Sequence, residues 1–163
     1  MIVTENCLSK MINIEKGTFQ HYPYQSNKGS NVMSRAVIYD DGKDFLYIGT
    51  KAGLVLFNKT KETFHTYQNI PEIKNSLSNN SVNSICPDIE NPKRYLWIGT
   101  SGGLNVFDIE KKTFKNYTQN DGLPNNVIYG ILTDAQDNLW MSTNKDIYKF
   151  NLKTKKFRNY GVA

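Results

Sequence analysis

Histidine, cysteine and long apolar runs are what this sequence mostly does without. Only His21, His65, Cys7 and Cys86 occur. Two cysteines, neither in a Cys-x-x-Cys, are too few for a disulfide framework. No stretch of 18 apolar residues exists, so nothing in the sequence reads as a membrane-spanning helix. The opening "MIVTENCLSKMINIEKG" has no basic segment followed by an apolar one and does not read as a signal peptide. On that basis the chain is expected to be cytoplasmic, or to be a piece whose targeting signal lies elsewhere. The signatures GxGxxG, GxxxxGK[ST], GxSxG and HExxH are also missing, which removes the local motifs of nucleotide binding, serine hydrolysis and zinc proteolysis.

What is present is a β-rich composition on the scale of one domain. Of 163 residues, 39% are hydrophobic and 12% aromatic, with ten Tyr and eight Phe, a balance that favours a folded chain over a disordered one. The net charge of +5 comes largely from lysines in "NKTKETF", "DIEKKTF" and "NLKTKKF". These occupy one spot in successive repeats, where charge keeps hairpin edges solvated and unpaired with other chains. Their placement argues against nucleic acid as a partner.

The repeat itself is explicit. Thr4, Thr50, Thr100 and Thr143 are 46, 50 and 43 residues apart, and Phe19, Phe64, Phe114 and Phe157 are 45, 50 and 43 apart. Three residues after each Phe stands a Tyr: Tyr22, Tyr67, Tyr117 and Tyr160. Each full repeat divides into four short runs rich in Val, Ile, Tyr and Phe, separated by Gly, Asn, Asp and Lys turns, for example "NNVIYGILTD", "LWMST", "IYKFN" and "KFRNY". Such runs read as strands joined by hairpins. Four strands per 43–50 residues is one blade of a β-propeller. The expected fold is all-β, with about three and a half blades: an incomplete one at 1–28, then 29–74, 75–120 and 121–163. No helix is expected.

Within the phrase "LWIGTSGGL" each residue type has a structural use. Tyr47, Trp97 and Trp140 are expected to fill blade-to-blade interfaces. Gly53, Gly102 and Gly103 are expected to supply the positive φ of a tight hairpin, and "NKD" at 144–146 to replace them through the tolerance of Asn and Asp for the left-handed region. Cys86 aligns with Tyr39 and Leu132 and is expected to act as a small hydrophobe. Asp40, Asp41, Asp88 and Asp134 recur after the first strand, where Asp favours turns. "TDAQDNLW" lacks the alternating oxygen ligands of a calcium loop, so no metal and no cofactor is assigned.

The stretches "LSNNSVNSI", "LWIGTSGGLNVFD" and "GLPNNVIYGILTDAQDNLWMST" closely resemble the two-component regulator propeller repeat. The resemblance is strongest in the third and fourth repeats and covers nearly the whole chain. It implies a place in the periplasmic sensor region of bacterial hybrid two-component systems, especially those tied to glycan use. In that family, propellers precede a β-sandwich, a membrane helix and a histidine kinase. The implied function is a ligand-sensing or scaffold segment with an oligosaccharide ligand. The alternatives are a protein–protein interaction module and, third, a lyase, because the repeat also broadly resembles streptogramin lyase-like propellers. That second resemblance implies a metal and a catalytic histidine near the axis. His21 and His65 instead lie in the F-x-x-Y run of the outermost strand, so no catalytic residue is assigned and the chain is read as no enzyme.

Ligand residues are expected on the loops that join one blade to the next. "PYQSNKGSNVMSR", "QNIPEIKNSLSNNS" and "TQNDGLPNNV" are long and polar, and long loops on a rigid scaffold concentrate binding groups. The candidates are Arg35, Asn80, Asn126 and Tyr129 at the axial mouth, with Lys51, Ser101 and Asn144 beside them on the middle hairpins. The asparagines have an alternative role as turn caps. Arg35 interrupts an apolar strand, where a guanidinium needs an anion or open water. Three and a half blades leave two open faces, so self-association into a ring of seven or eight blades is expected, or else packing against the rest of a larger sensor.

Overall fold

The computed structural model describes residues 1–4, 7–24 and 37–161. Among these described residues fifteen strands form four antiparallel sheets, with neighbouring strands consecutive in sequence. The first sheet has three strands: β1 (Ile2–Thr4), β2 (Cys7–Asn13) and β3 (Thr18–Pro23). The second has β4 (Val37–Asp40), β5 (Phe45–Thr50), β6 (Gly53–Asn58) and β7 (Thr63–Tyr67). The third has β8 (Val82–Pro87), β9 (Tyr95–Thr100), β10 (Gly103–Asp108) and β11 (Thr113–Tyr117). The fourth has β12 (Ile128–Thr133), β13 (Asn138–Thr143), β14 (Ile147–Asn151) and the shorter β15 (Phe157–Asn159). One 3-10 turn, Gln119–Asp121, interrupts the loop before β12. The architecture is all-β, with three complete four-stranded units and one partial unit, as the spacing predicts.

Burial explains why the two middle strands of each repeat are apolar without alternation. In β9 the five residues after Tyr95 are buried on both faces, whereas the outermost β11 buries only Phe114. A strand packed by sheets on both sides shows this pattern. Tyr47 and Leu54 on one face of the second sheet pack against Leu96, Ile98, Phe107 and Phe114 of the third. On its other face the third sheet presents Cys86, Trp97 and Leu104 to Ile128, Leu139, Met141 and Phe150 of the fourth. Cys86 is buried as a small core residue, and that burial raises its thiol pKa.

Space is tightest where neighbouring units converge. A Cβ added at Gly49 would stand 2.6 Å from Val82 Cγ1, and one at Gly99 would stand 2.7 Å from Ile128 Cγ2. Glycine is needed here for room rather than for φ. The equivalent Ser142 lies on the open face of the fourth sheet and is exposed.

The turns correct two expectations. Gly53 (φ 126°) and Gly103 (φ 142°) have positive φ, but Gly102 does not. Its lack of a side chain makes room instead, because a Cβ there would meet Asn79 Cβ at 2.6 Å. Nor do residues 144–146 adopt the left-handed region. Thr143 closes that turn: its Oγ1 accepts from the Lys145 and Asp146 amides, and its own hydroxyl and amide both donate to the Asp146 carbonyl. Thr50 and Thr100 close their own hairpins through the same hydroxyl bonds, to the Ala52 and Gly102 amides and the Gly53 and Gly103 carbonyls, so the threonine serves all three copies.

Candidate functional site

The loop that leads into β8 meets the β9–β10 hairpin at one end of the third sheet. The Ser101 amide donates to the Ser81 carbonyl at 3.0 Å, tying the β9–β10 hairpin to the loop that leads into β8. Ser78 Oγ lies 2.9 Å from Thr100 Oγ1, and the Ser78 amide donates to Asn105 Oδ1 at 2.9 Å. Asn105 is fully buried in β10, and its Nδ2 donates to the Ile98 and Gly103 carbonyls. A buried amide satisfied at both ends fixes a loop on a sheet, because leaving any of those groups unpaired would be costly.

On this frame the candidate residues divide. Asn80 Oδ1 accepts from the Asn69 amide at 2.6 Å, and Asn126 Oδ1 accepts from the Gln119 amide at 2.8 Å. Asn79 and Asn125 close Asx turns onto the Ser81 and Val127 amides, both at 2.8 Å. All four asparagine oxygens therefore hold loop backbone, and what Asn80 and Asn126 offer a ligand is the Nδ2 side of the amide. Lys51 and Asn144 are exposed on their hairpins, Ser101 is half-buried, and Tyr129 is 53% exposed. Arg35 lies outside the described residues.

Asn83 joins this group although its sequence context did not single it out. Its Nδ2 donates to the Ile128 carbonyl at 2.9 Å and to Ser101 Oγ at 3.3 Å, while Ser81 Oγ donates to its Oδ1 at 3.3 Å. Asn83 thus ties the innermost strands of the third and fourth units together. The one available signal was a polar residue in a strand at the position where the next repeat has Tyr129.

The recurrent aspartates are anchors as well as turn formers. Asp88 Oδ1 accepts from the Glu90 and Asn91 amides, and Oδ2 accepts from Trp97 Nε1 at 2.8 Å. Asp134 repeats the arrangement with Gln136, Asn138 and Trp140 Nε1, the last at 2.7 Å. Filled by N–H donors, the Asp134 carboxylate has little left for a cation. Among the described residues no group of three or more His, Cys, Asp or Glu is placed to hold a metal.

The indole N–H of Trp140 is the main cause that lowers the Asp134 pKa, to about 2. A carboxyl whose folded value lies below its unfolded value stabilises the fold above about pH 4 and loses that contribution as pH falls towards 2. The wild type should therefore lose more stability between pH 5 and pH 2 than Asp134→Asn. Urea titrations at each pH would show this, and parallel pH profiles for the two proteins would contradict it.

Both histidines lie on outermost strands, as their sequence positions predict. His21 on β3 has Nδ1 2.9 Å from Ser9 Oγ, and His65 on β7 packs edge-on against Tyr67. Both are exposed.

Comparison with known proteins agrees with this architecture. Residues 122–145 match the family model of the Two component regulator propeller. No curated protein sequence matches the chain. Among solved structures, the extracellular domain of a putative hybrid two component system from B. thetaiotaomicron is similar, with a TM-score of 0.80 and 22% identity over 96% of this chain. The extracellular domain of a putative one component system from the same organism follows, with a TM-score of 0.74 and 22% identity, also over 96% of this chain. The chain spans 22% of the length of each. A streptogramin B lyase shares the fold at a TM-score of 0.66 and 16% identity, over 97% of this chain and 48% of the lyase.

Proposed function

We propose that the chain is a segment of the sensing propeller in the extracellular, periplasmic region of a bacterial two-component sensor, with blades at 29–74, 75–120 and 121–163 after an incomplete one at 1–28. The observation that carries this reading is the two-component regulator propeller match at 122–145, set in a structure that superposes on such extracellular domains. The proposed ligand side is that of the loops and middle hairpins, to which exposed Tyr129, Lys51 and Asn144 and the Nδ2 groups of Asn80 and Asn126 are assigned. An aromatic ring together with amide donors suits an oligosaccharide, whose ring faces stack while its hydroxyls accept hydrogen bonds. A lyase reading would need an axial histidine, and both histidines stand at the outer edge.

Calorimetric titration with a panel of oligosaccharides tests this. Binding that weakens about tenfold in Tyr129→Ala supports the axial site, since tenfold is a modest share of what a stacking aromatic contributes. The double variant His21→Gln/His65→Gln should bind like the wild type. Loss of binding in that variant with the fold intact would move the function to the outer strands.

A second reading concerns assembly, and the open face of the fourth sheet favours it. Leu132 is 73% exposed and Ile147 51% exposed there, at positions that Cys86 and Leu104 fill inside the third interface. Within the chain one face of each unit always packs on the opposite face of the next. The matching occupant is therefore the first sheet of a second copy, added head to tail. Two copies added in this way, each with four sheets, would close a ring of eight, one of the two sizes expected from the sequence. Light scattering should report a dimer at micromolar concentration. A folded monomer across the same range would remove the ring.

A further inference from the structure

A crevice of about 960 Å³ opens at the outer rim of the third sheet, where Lys74, Asn75 and Asp121 of the connecting loops line it but none of the candidate axial residues does. Tyr95, Val106 and Tyr117, all on the face turned towards the fourth sheet, form its half-buried floor. The loop before β8 builds one wall because it runs along β11, where the Phe114 amide donates to the Asn75 carbonyl and Asn116 Nδ2 donates to the Ser76 carbonyl. The β14–β15 turn of the fourth unit contributes Lys155.

The hydrogen-bonding capacity of this lining is unbalanced. Four carboxylates face it, and three of them already accept hydrogen bonds from the protein. Asp88 holds two amides and the Trp97 indole. Asp108 holds the Glu110 and Lys111 amides, with Arg94 at 3.6 Å. Asp121 holds the Thr118 amide and hydroxyl. Lys74, Lys111, Lys115 and Lys155 also line the crevice, and none forms an ion pair or donates a side-chain hydrogen bond among the described residues. Lys115 Nζ rests 5.0 Å above the Tyr117 ring, which places a cation beside the apolar floor. Four ammonium groups with no ion pair within 4.0 Å among the described residues therefore stand next to ring surface.

We propose that this rim crevice binds an organic anion carried on a ring, with the carboxylate or sulfate on the lysines and one ring face on Tyr95, Val106 and Tyr117. Charge-assisted hydrogen bonds supply the selection for an anion, and the half-buried floor supplies the selection for a flat apolar face. This site is separate from the axial ligand side and does not depend on the sensor reading.

The test uses the full ¹⁵N-labelled chain with two probes of the same ring, D-glucuronate and D-glucose. Glucuronate should give saturable shifts at the Trp97 indole N–H and at amides within 106–117, and glucose should not. Lys111→Gln/Lys115→Gln, both at exposed positions, should weaken glucuronate binding by about tenfold while the spectrum stays dispersed. The proposal fails if glucuronate produces no saturable shift at the rim, if glucose matches it, or if the double variant binds as the wild type does. Shifts confined to Lys51, Tyr129 and Asn144 would also overturn it, and would leave the axial reading standing.

Discussion

Replacing Trp97 by alanine should lower the unfolding free energy by about 3–5 kcal/mol, the range for removing a large buried aromatic. Trp97 is 4% exposed, meets Phe150 of the fourth unit edge-on at 6.1 Å, and lies tilted against Tyr117 at 6.4 Å. Its loss would open a cavity between two sheets and leave Asp88 Oδ2 without its indole donor. Trp140→Ala should have a smaller effect, about 1–2 kcal/mol, although the repeat makes the two tryptophans equivalent and the sequence alone predicts the same role for both. Trp140 makes the same bond, to Asp134, but stands half-buried on the open face, touching Tyr160 at 5.0 Å with Lys149 Nζ 5.5 Å above its ring. The part of its surface that is already exposed has no transfer energy to lose. Urea midpoints decide the matter: equal losses for the two variants, or none for Trp97→Ala, would show that the interface between the third and fourth units is misassigned.

That inequality shows what the sequence can and cannot carry. The strand order was legible because the Thr, Phe and Tyr spacings mark homologous points in each repeat, and a two-residue period admits only one register once those points are fixed. The pairs Tyr39↔Tyr47, Cys86↔Trp97 and Leu132↔Trp140 follow directly. Whether a position is buried was not legible at the ends of the chain. Leu132 and Cys86 are equivalent in sequence, and only the presence of a neighbouring unit separates them.

Turn chemistry was half legible. Glycine at 102 and 103 looks alike in a string, yet one is required for room and the other for φ. The left-handed residues Gly17, Glu62, Lys112 and Lys155 share one place in the repeat, with φ between 55° and 59°. Three of them are residues that favour that region poorly, so composition hides the turn. The candidate site was least legible. Asn80 and Asn126 were singled out as polar loop residues, but the partners of their oxygens are amides eleven and seven residues away, respectively. Asn83 and the rim crevice arise only when separate units are brought together, and neither has a local signature.

Gly103 carries the second large expected effect. Its φ of 142° is one that side-chain-bearing residues rarely adopt, and a Cβ there would stand 2.6 Å from the Tyr117 carbonyl oxygen. That oxygen cannot easily withdraw. Tyr117 pairs with Leu104 in the ladder, and the same outer strand is held by the loop before β8 through Phe114 and Asn116. Gly103→Ala should therefore combine backbone strain with a steric clash, lowering stability by about 2–4 kcal/mol. Two neighbouring glycines separate the contributions. Gly122→Ala has open space within 4 Å at a φ of 87°, so it tests conformation alone and should lose about 1 kcal/mol. Gly102→Ala meets Asn79 Cβ and the Ser78 carbonyl at an ordinary φ, so it tests space alone and should lose about 1–2 kcal/mol as the loop shifts. The expected order of urea midpoints is Gly122→Ala highest, Gly102→Ala next and Gly103→Ala lowest. If Gly103→Ala were no worse than Gly122→Ala, the close approach of the β9–β10 hairpin to the end of β11 would be wrong, and with it the seating of the loops on the ligand side.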